Sequence, residues 1–288
     1  HCNDLYTLPI GALIKKVFNR KAKVLYDCHE LETEARIYAK NFLLKWISKL
    51  TERALIHSAD AVITVSESIA QDYAERYGIE KPKLVLNCPK FKNYQRKNLF
   101  RENFGIGKNQ KIVLFQGGLR KESGIEIMIE AFKQRKDTDL VLVFLGSGDL
   151  QDLVQDSAEK YNTIYYQPRV SIEKYMDYVS SADIGIHIME NTCLNHDYAL
   201  PNKVFEYVMA GLPVIVSNLK EMSEFVEKNK VGIVIKENNP EALGTALDKL
   251  VHTELTKYRP FLIKTAKIYN WENQEKALLE VYKNISGI

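Results

Sequence analysis

Hydrophobic positions along this chain follow two alternating spacings from one end to the other. Short apolar runs rich in Val, Ile and Leu, which are typical of buried strands, are separated by segments with apolar residues three and four apart, which are typical of amphipathic helices. This alternation indicates parallel sheets with helices on both faces. The sequence therefore predicts an α/β protein.

The first part of the chain, residues 1–93, contains a short series of these units. Strands are predicted at 23–26, 61–65 and 83–86, and helices at 8–18, 37–57 and 67–77. Doubly wound lobes commonly contain about six strands, so three indicate a partial lobe. The chain also begins with His1 rather than Met. We therefore expect this lobe to be truncated at its N-terminal side.

The second part of the chain has a complete series. Residues 88–109 break the pattern with a proline and closely spaced Lys and Arg, as a connection between lobes does. Six strands are then predicted at 112–115, 140–145, 163–166, 184–188, 214–216 and 232–235. We predict a complete doubly wound lobe at 94–268 and a separate amphipathic helix in 269–288.

The rest of the chain is organised around residues 200–215, Leu-Pro-Asn-Lys-Val-Phe-Glu-Tyr-Val-Met-Ala-Gly-Leu-Pro-Val-Ile. Pro201 predicts the first turn of a helix and Gly211 its end. The free N–H groups at a helix start attract phosphate, and Lys203 adds a full positive charge there. Lys203 and Glu206 share one helix face, so one could hold a phosphate and the other a sugar hydroxyl. An ordinary surface helix with an ion pair is the alternative.

Two glycine loops follow predicted strands of the second lobe. Gly117 and Gly118 would let the backbone approach a diphosphate, which Arg120 and Lys121 could neutralise. A structural turn with solvated charges is the alternative. The later pair in Gly146-Ser147-Gly148 is explained equally well by tight packing of a helix against a strand.

A histidine follows a strand of the first lobe, in Val24-Leu25-Tyr26-Asp27-Cys28-His29. His29 could lie in a cleft between the lobes and donate a hydrogen bond to a sugar; a structural histidine is the alternative. Asp4, in the segment before the first helix, is interpreted mainly as a helix cap.

Taken in order, these motifs resemble the retaining glycosyltransferases of family 4, which have the GT-B fold of two Rossmann-like doubly wound lobes. In that family a glutamate within an E-x-x-x-A-G-x-P-V run binds the donor's ribose, and Glu206 stands at its position. Gly118 and Ser123 stand where the family usually has an arginine and a lysine. Tyr198 stands eight residues before Glu206, where a second glutamate is usual. Either Arg120, Lys121 or Lys203 replaces the missing cations, or the site has lost its activity.

The resemblance also implies a function. It implies transfer of a hexose, with retention, from a nucleotide diphosphate sugar to a glycan or lipid-linked acceptor, without a metal or other cofactor. His29 and Glu206 are then the catalytic-site residues. The donor-binding residues are Gly117, Gly118, Arg120, Lys121, Val170 beside the base, Tyr198, Asn202, Lys203 and Glu206. A non-catalytic nucleotide-sugar-binding or scaffold subunit that pairs with another chain is the alternative, and a nucleotide-sugar epimerase is a third.

The net charge and the cysteine content limit the kinds of binding partner and the cellular compartment that the sequence indicates. A net charge of +3 requires no nucleic-acid partner. The four cysteines are far apart, without metal-ligand spacing, and suit a reducing cytoplasm. The helix predicted at 37–57 carries Lys40, Lys45, Lys49 and Arg53 beside an apolar face. We expect that face to pack against the sheet; contact with an anionic membrane at its cytoplasmic side is the alternative.

Overall fold

Two parallel β-sheets organise the protein. The structure, a computed structural model, describes residues 1–35, 37, 41–135, 137 and 139–287, with the backbone alone at His252. One sheet belongs to the first lobe and the other to the second lobe.

The sheet of the first lobe has four described strands in the order β1-β2-β3-β4. These are β1 (Cys2–Asn3), β2 (Leu25–Cys28), β3 (Ala61–Thr64) and β4 (Lys83–Leu84). The helices are α1 (Asp4–Leu13), which continues as a π-helical turn over Ile14–Phe18, α2 (Phe42–Leu55) and α3 (Glu67–Tyr77). The prediction of three strands was wrong, because β1 has only two residues and leaves no apolar run in the sequence.

The sheet of the second lobe has the six strands that the sequence predicts, all parallel. They are β5 (Lys111–Gly118), β6 (Leu140–Ser147), β7 (Ile164–Gln167), β8 (Ile184–His187), β9 (Val214–Ser217) and β10 (Gly232–Ile235). Their order is β10-β9-β8-β5-β6-β7, so the direction of winding reverses between β5 and β8. Ligands of doubly wound sheets bind beyond the strand ends at such a reversal.

Helices cover both faces of the second sheet. They are α4 (Leu99–Phe104), α5 (Ile125–Gln134), α6 (Gln151–Lys160), α7 (Ile172–Val179), α8 (Leu194–Asp197), α9 (Asn202–Met209), α10 (Lys220–Asn229), α11 (Pro240–His252) and α12 (Arg259–Ile268). Helix α4 falls within the segment predicted as a connection, and its Phe100 is fully buried in the core of the second lobe. Part of 88–109 therefore packs into that core.

The core of the second lobe lies on both faces of its sheet. Along β5, Ile112 and Leu114 belong to the apolar cluster on one face, and Val113 and Phe115 to the cluster on the other. Successive strand side chains point to opposite faces, so a strand buried on both sides must be apolar at every position. This is why its strands are recognisable as continuous apolar runs.

The last helix, α13 (Trp271–Ser286), lies against the first lobe. Its Val281 packs with apolar side chains of the first sheet. The N–H of Trp271 donates to the carbonyl of Pro89 at 2.9 Å, and the Gln274 side chain accepts from the N–H of Leu86 at 2.9 Å. The Glu272 carboxylate accepts from the N–H of Phe91, also at 2.9 Å. Backbone and side-chain contacts therefore hold this helix to the segment that leaves the first lobe.

Helix α2 contradicts the expectation that its apolar face packs against the sheet. Residues 38–40 of the predicted helix lie outside the described part of the chain, and the helix begins at Phe42 after the cap Asn41. Its large apolar side chains are exposed, with 83% exposure at Phe42 and 53% at Trp46. Its buried positions are Ser48 and Glu52.

The Glu52 carboxylate explains this orientation. It accepts hydrogen bonds from Tyr26 at 2.7 Å, Tyr73 at 2.5 Å and Tyr77 at 2.5 Å. Burial raises the pKa of each phenol, so all three remain donors. A buried carboxylate with three donors is stable only in this orientation of the helix, which leaves the apolar side in water.

We predict that Glu52→Ala lowers the free energy of unfolding by about 3 kcal/mol or more, because three buried hydroxyls lose their acceptor. Urea-induced unfolding measures the loss. Glu67→Ala is the control, since it removes an exposed carboxylate that pairs with Lys81 and should cost less than about 1 kcal/mol. Equal losses in the two variants would show that the tyrosine cluster does not stabilise the first lobe.

Candidate functional site

A cleft of about 1140 Å³ separates the two lobes. It opens at the carboxyl ends of β2, β5 and β8, where a ligand of a doubly wound sheet is expected. Its lining includes six of the predicted site residues: His29, Gly118, Arg120, Lys121, Asn202 and Lys203. The fold therefore brings residues far apart in sequence to one cavity.

Helix α9 starts at the wall of this cleft. Pro201 lies at the cap, one residue before the first turn in which it was predicted, and Gly211 follows the helix with φ +80. The side chains of Pro201, Asn202 and Lys203 line the cavity. The positive end of the helix dipole therefore lies beside the cleft.

Lys203 lies over the bare backbone of Gly117. A Cβ atom on Gly117, whose φ is +115, would lie 2.7 Å from the Lys203 Nζ. The Lys203 Nζ is also 5.1 Å from the centroid of the Phe115 ring. Burial lowers the pKa of Lys203 to about 8, Glu206 raises it and Arg120 lowers it. Gly117 thus makes room for a partly desolvated ammonium group.

Arg120 occupies the space beside the second glycine. A Cβ atom on Gly118 would lie 3.2 Å from the Arg120 Nε. Lys121 and Ser123, at the ends of a single 3₁₀ turn, line the same wall of the cleft. The side chains of Lys203 and Arg120 therefore place two positive charges over Gly117 and Gly118, although neither glycine position holds a cationic residue itself.

Glu206 is not among the residues that line the cleft. Its carboxylate accepts from Gln116 Nε2 at 2.8 Å and from the Tyr175 hydroxyl at 2.9 Å. Burial raises its pKa, whereas the Tyr175 hydrogen bond and the Lys203 charge lower it. Lys203 and Glu206 therefore share one side of α9 but contact different groups.

Three other predicted donor-binding residues, Gly117, Tyr198 and Val170, also lie outside the lining. Tyr198 packs against the core of the first lobe, with the Lys220 Nζ 5.4 Å from its ring centroid. Val170 packs against the core of the second lobe. The proposed contacts of all the predicted site residues with a donor or a transferred sugar, inside and outside the lining, remain predictions.

His29 faces the cleft from the first lobe, between two carboxylates. Its Nε2 is 3.4 Å from Asp27 Oδ2, and its Nδ1 is 3.4 Å from Asp4 Oδ1. The interpretation of Asp4 as a helix cap was wrong, because Asn3 occupies the cap position of α1 and the Asp4 carboxylate accepts from the backbone N–H of His29 at 3.4 Å. The Asp4 backbone has a φ of +59. This backbone turns the Asp4 carboxylate towards His29.

The G-x-G at 146–148 is a packing feature. A Cβ atom on Gly146 would lie 1.9 Å from the carbonyl oxygen of Gly117, and one on Gly148 would lie 2.6 Å from that of Leu119. Side chains there would separate β6 from β5 and displace the glycine pair. Tight packing therefore accounts for these two glycines.

Sequence reasoning missed His187, one of the polar residues of the cleft, and did not foresee the role of Asn195. His187, at the end of β8, lines the cavity, and its only signal was a polar residue at the end of an apolar run. Asn195, which also lines the cleft, connects the lobes. It accepts from the N–H of Leu31 at 2.8 Å and donates to the Glu30 carboxylate at 3.2 Å.

Within the described ranges, no three His, Cys, Asp or Glu side chains are placed to share a metal ion. None of the described helices is long and apolar enough to span a membrane.

The fold and the site first define a class, the two-lobed GT-B proteins, because two parallel sheets face one cleft with their strand ends. One solved structure of this class is Anabaena HepE in complex with UDP and glucose, with a TM-score of 0.73 and 15% identity over 98% of this chain and 76% of that one. A structure of the GtfA/B complex gives a TM-score of 0.69 and 14% identity over 97% of this chain and 56% of that one. The predicted fold class is confirmed.

Sequence comparison then gives the family. The profile of "Glycosyl transferases group 1" matches residues 96–268, and that of "Glycosyltransferase Family 4" matches residues 1–88. The chain belongs to the group 1 glycosyltransferases. An uncharacterized glycosyltransferase of Methanocaldococcus jannaschii is 24% identical over 300 residues, which cover 98% of this chain and 74% of the relative.

We predict that the affinity for a nucleoside diphosphate falls as the pH rises through about 8. Lys203 has a pKa lowered to about 8, so it is charged below this pH and loses its charge above it. The affinity should be level below pH 8 and fall by at most about tenfold per pH unit above it. Calorimetric titration between about pH 6.5 and about pH 9.5 measures this decline.

Lys203→Arg is the matched control, because its guanidinium stays charged over the whole range and should abolish the decline. An equally steep decline in this variant would assign the titration to another group.

Proposed function

We propose that this group 1 glycosyltransferase moves a hexose, with retention, from a nucleotide diphosphate sugar to a glycan or lipid-linked acceptor. The observation that carries the proposal is the cleft in which His29 of the first lobe faces the cations over the glycine pair of the second lobe. The similar structure of HepE with UDP and glucose supports a nucleotide-sugar donor. The proposed site of action is the cytoplasm, where nucleotide sugars are available as substrates.

In this proposal the second lobe stabilises the leaving group. The departing diphosphate gains negative charge as the bond to the sugar breaks. Lys203, Arg120 and the N-terminal amides of α9 present positive charge at the same wall of the cleft. Donors fixed in a partly desolvated site stabilise such a charge strongly. We propose that these protein groups serve instead of a metal ion.

The first lobe is proposed to hold the transferred sugar. His29 lies opposite the cations, and the carboxylates of Asp27 and Asp4 lie 3.4 Å from its two ring nitrogens. These contacts restrict the orientation of the ring. The N–H of one ring nitrogen can donate to a sugar hydroxyl that takes the place of its carboxylate, while the other carboxylate keeps the ring oriented.

Glu206 is proposed to bind the ribose, and the region of Val170 the base. The Glu206 carboxylate already accepts two hydrogen bonds, but an ionised carboxylate has about four acceptor sites. It therefore retains capacity for ribose hydroxyls. Gln116 and Tyr175 fix its position.

We predict different kinetic effects for the two catalytic-site residues. His29→Ala should lower kcat by about 100-fold, because the sugar loses a hydrogen bond during transfer. Glu206→Ala should mainly raise the KM for the donor, by about tenfold, because it removes a ground-state contact. Steady-state kinetics with a panel of nucleotide sugars measures both effects.

Glu173→Ala is the control, since Glu173 is an exposed carboxylate on α7. A wild-type protein that binds no nucleoside diphosphate would contradict the proposal. Unchanged kinetics in both site variants would contradict the assigned roles.

A non-catalytic nucleotide-sugar-binding subunit is the second candidate. Gly118 and Ser123 line the cleft without the cations that the family usually has there. Strand β1, which pairs with β2, lies at the edge of the described sheet, where a partner chain could extend the lobe. The similar GtfA/B structure is a complex. Saturable donor binding without turnover would favour this candidate over the enzyme.

The exposed face of α1 and α2 is proposed to contact an anionic membrane surface that carries a lipid-linked acceptor. These helices pack side by side, and both expose large apolar side chains. These side chains are Tyr6, Ile10, Leu13, Ile14, Val17, Phe18, Phe42, Leu43, Leu44, Trp46, Ile47 and Leu50. Lys16, Arg20 and Arg53 are exposed on the same segments. An apolar surface with basic residues at its margin suits anionic lipid.

We predict that the protein sediments with phosphatidylglycerol vesicles, less with phosphatidylcholine vesicles, and that Phe42→Asp combined with Leu43→Asp abolishes sedimentation. Aspartate is tolerated in the first helical turn, so the fold should persist. Ile172→Asp is the matched control, because Ile172 is 84% exposed on α7 of the second lobe. Equal binding by all variants would rule out this surface as the lipid contact.

A further inference from the structure

His187 is a buried polar residue in an apolar strand. It is 4% exposed, and Ile184, Ile186 and Ile188 around it are fully buried. Neither Nδ1 nor Nε2 of its ring has a hydrogen-bond partner among the described residues. The residue nevertheless lines the cleft between the lobes.

An unpaired buried imidazole destabilises a fold. A buried polar group without a partner costs about 1–3 kcal/mol. A leucine of similar size would fill the same space among these isoleucines without that cost. The position therefore requires a partner that enters from the cleft.

The electrostatic surroundings of His187 indicate the chemistry of this partner. Lys203 acts on His187 as a nearby positive charge, as does His196 when protonated. Burial, with these neighbours, lowers the pKa of His187 well below its usual value, so the ring is neutral. A neutral imidazole offers one N–H donor and one acceptor nitrogen. An anionic oxygen satisfies the first and is attracted by Lys203, and a hydroxyl satisfies the second.

A nucleotide sugar presents both groups together, at the junction of its diphosphate and its sugar. We propose that His187 is a donor-binding residue whose N–H donates to a diphosphate oxygen and whose second nitrogen accepts from a hydroxyl of the transferred sugar. This inference rests on the proposed function and adds a residue to its site. Lys203 and His187 then hold the donor from α9 and from β8, respectively.

The test compares two ligands in the full chain by calorimetric titration, UDP and UDP-glucose. His187→Leu should weaken UDP by about tenfold, because one hydrogen bond is lost, and UDP-glucose by about 100-fold, because two are lost. The thermal midpoint of the ligand-free protein should stay level or rise, because an unpaired polar group is removed. His187→Gln, which keeps a donor and an acceptor, should recover part of the affinity for UDP-glucose.

Ile184→Leu, a buried change on the same strand, is the control and should bind both ligands as the wild type does. Unchanged binding of both ligands by His187→Leu and His187→Gln would overturn the inference while leaving the proposed function intact. Equal losses for UDP and UDP-glucose would overturn the contact with the sugar hydroxyl. A wild-type protein that binds neither ligand would instead overturn the proposed function itself.

Discussion

The contact between the Lys203 ammonium group and the backbone of Gly117 is the one on which the rest of the site depends. A side chain at Gly117 would displace the lysine, so the end of β5 must be bare. The close approach of Gly146 to Gly117 holds that strand end in place. The cation over the cleft is therefore fixed by packing between neighbouring strands, and its partial burial makes its charge sensitive to the contents of the cleft.

The contact of Lys203 with Gly117 also explains why Lys203 and Glu206, both on α9, lie in two different environments. Lys203 faces the cavity, whereas Glu206, nearly one turn later, is held by Gln116 and Tyr175. Across the cleft, His29 lies between two carboxylates. The second lobe therefore contributes a lysine to the cavity, and the first lobe contributes a histidine with two carboxylates. Neighbouring residues orient these groups, and neither lobe forms the cavity alone. This complementarity arises because the strand ends of the two parallel sheets face each other across the cleft.

The second lobe could be predicted almost entirely from sequence, because strands buried on both faces leave apolar runs and helix α9 lies between a proline and a glycine. The first lobe was harder to predict. Strand β1 is too short to leave a pattern, and the orientation of α2 depends on Tyr26, Tyr73 and Tyr77, which meet Glu52 only in the folded chain. A local hydrophobic period cannot reveal such a long-range cluster, so it indicated the wrong face.

The site could be predicted in part for similar reasons. Motif positions located the glycine pair, Lys203 and His29. Each of them follows a predicted strand or begins a helix at the edge of a sheet where a ligand cleft is expected. They could not show that Tyr198 packs against the first lobe, that Asp4 turns towards His29, or that His187 is buried without a partner. Those facts depend on side-chain directions and on contacts between residues distant in sequence.

The attachment of α13 has a consequence for observing motion in solution. This helix follows the second lobe in the chain, yet Trp271, Glu272 and Gln274 bond it to the backbone at 86–91. Any rotation between the lobes therefore carries the C-terminal helix along with the first. A fluorophore near residue 284 and a second one on α11 would report opening of the lobes as a change in their separation. Two fluorophores on α13 and α3 would keep a constant separation.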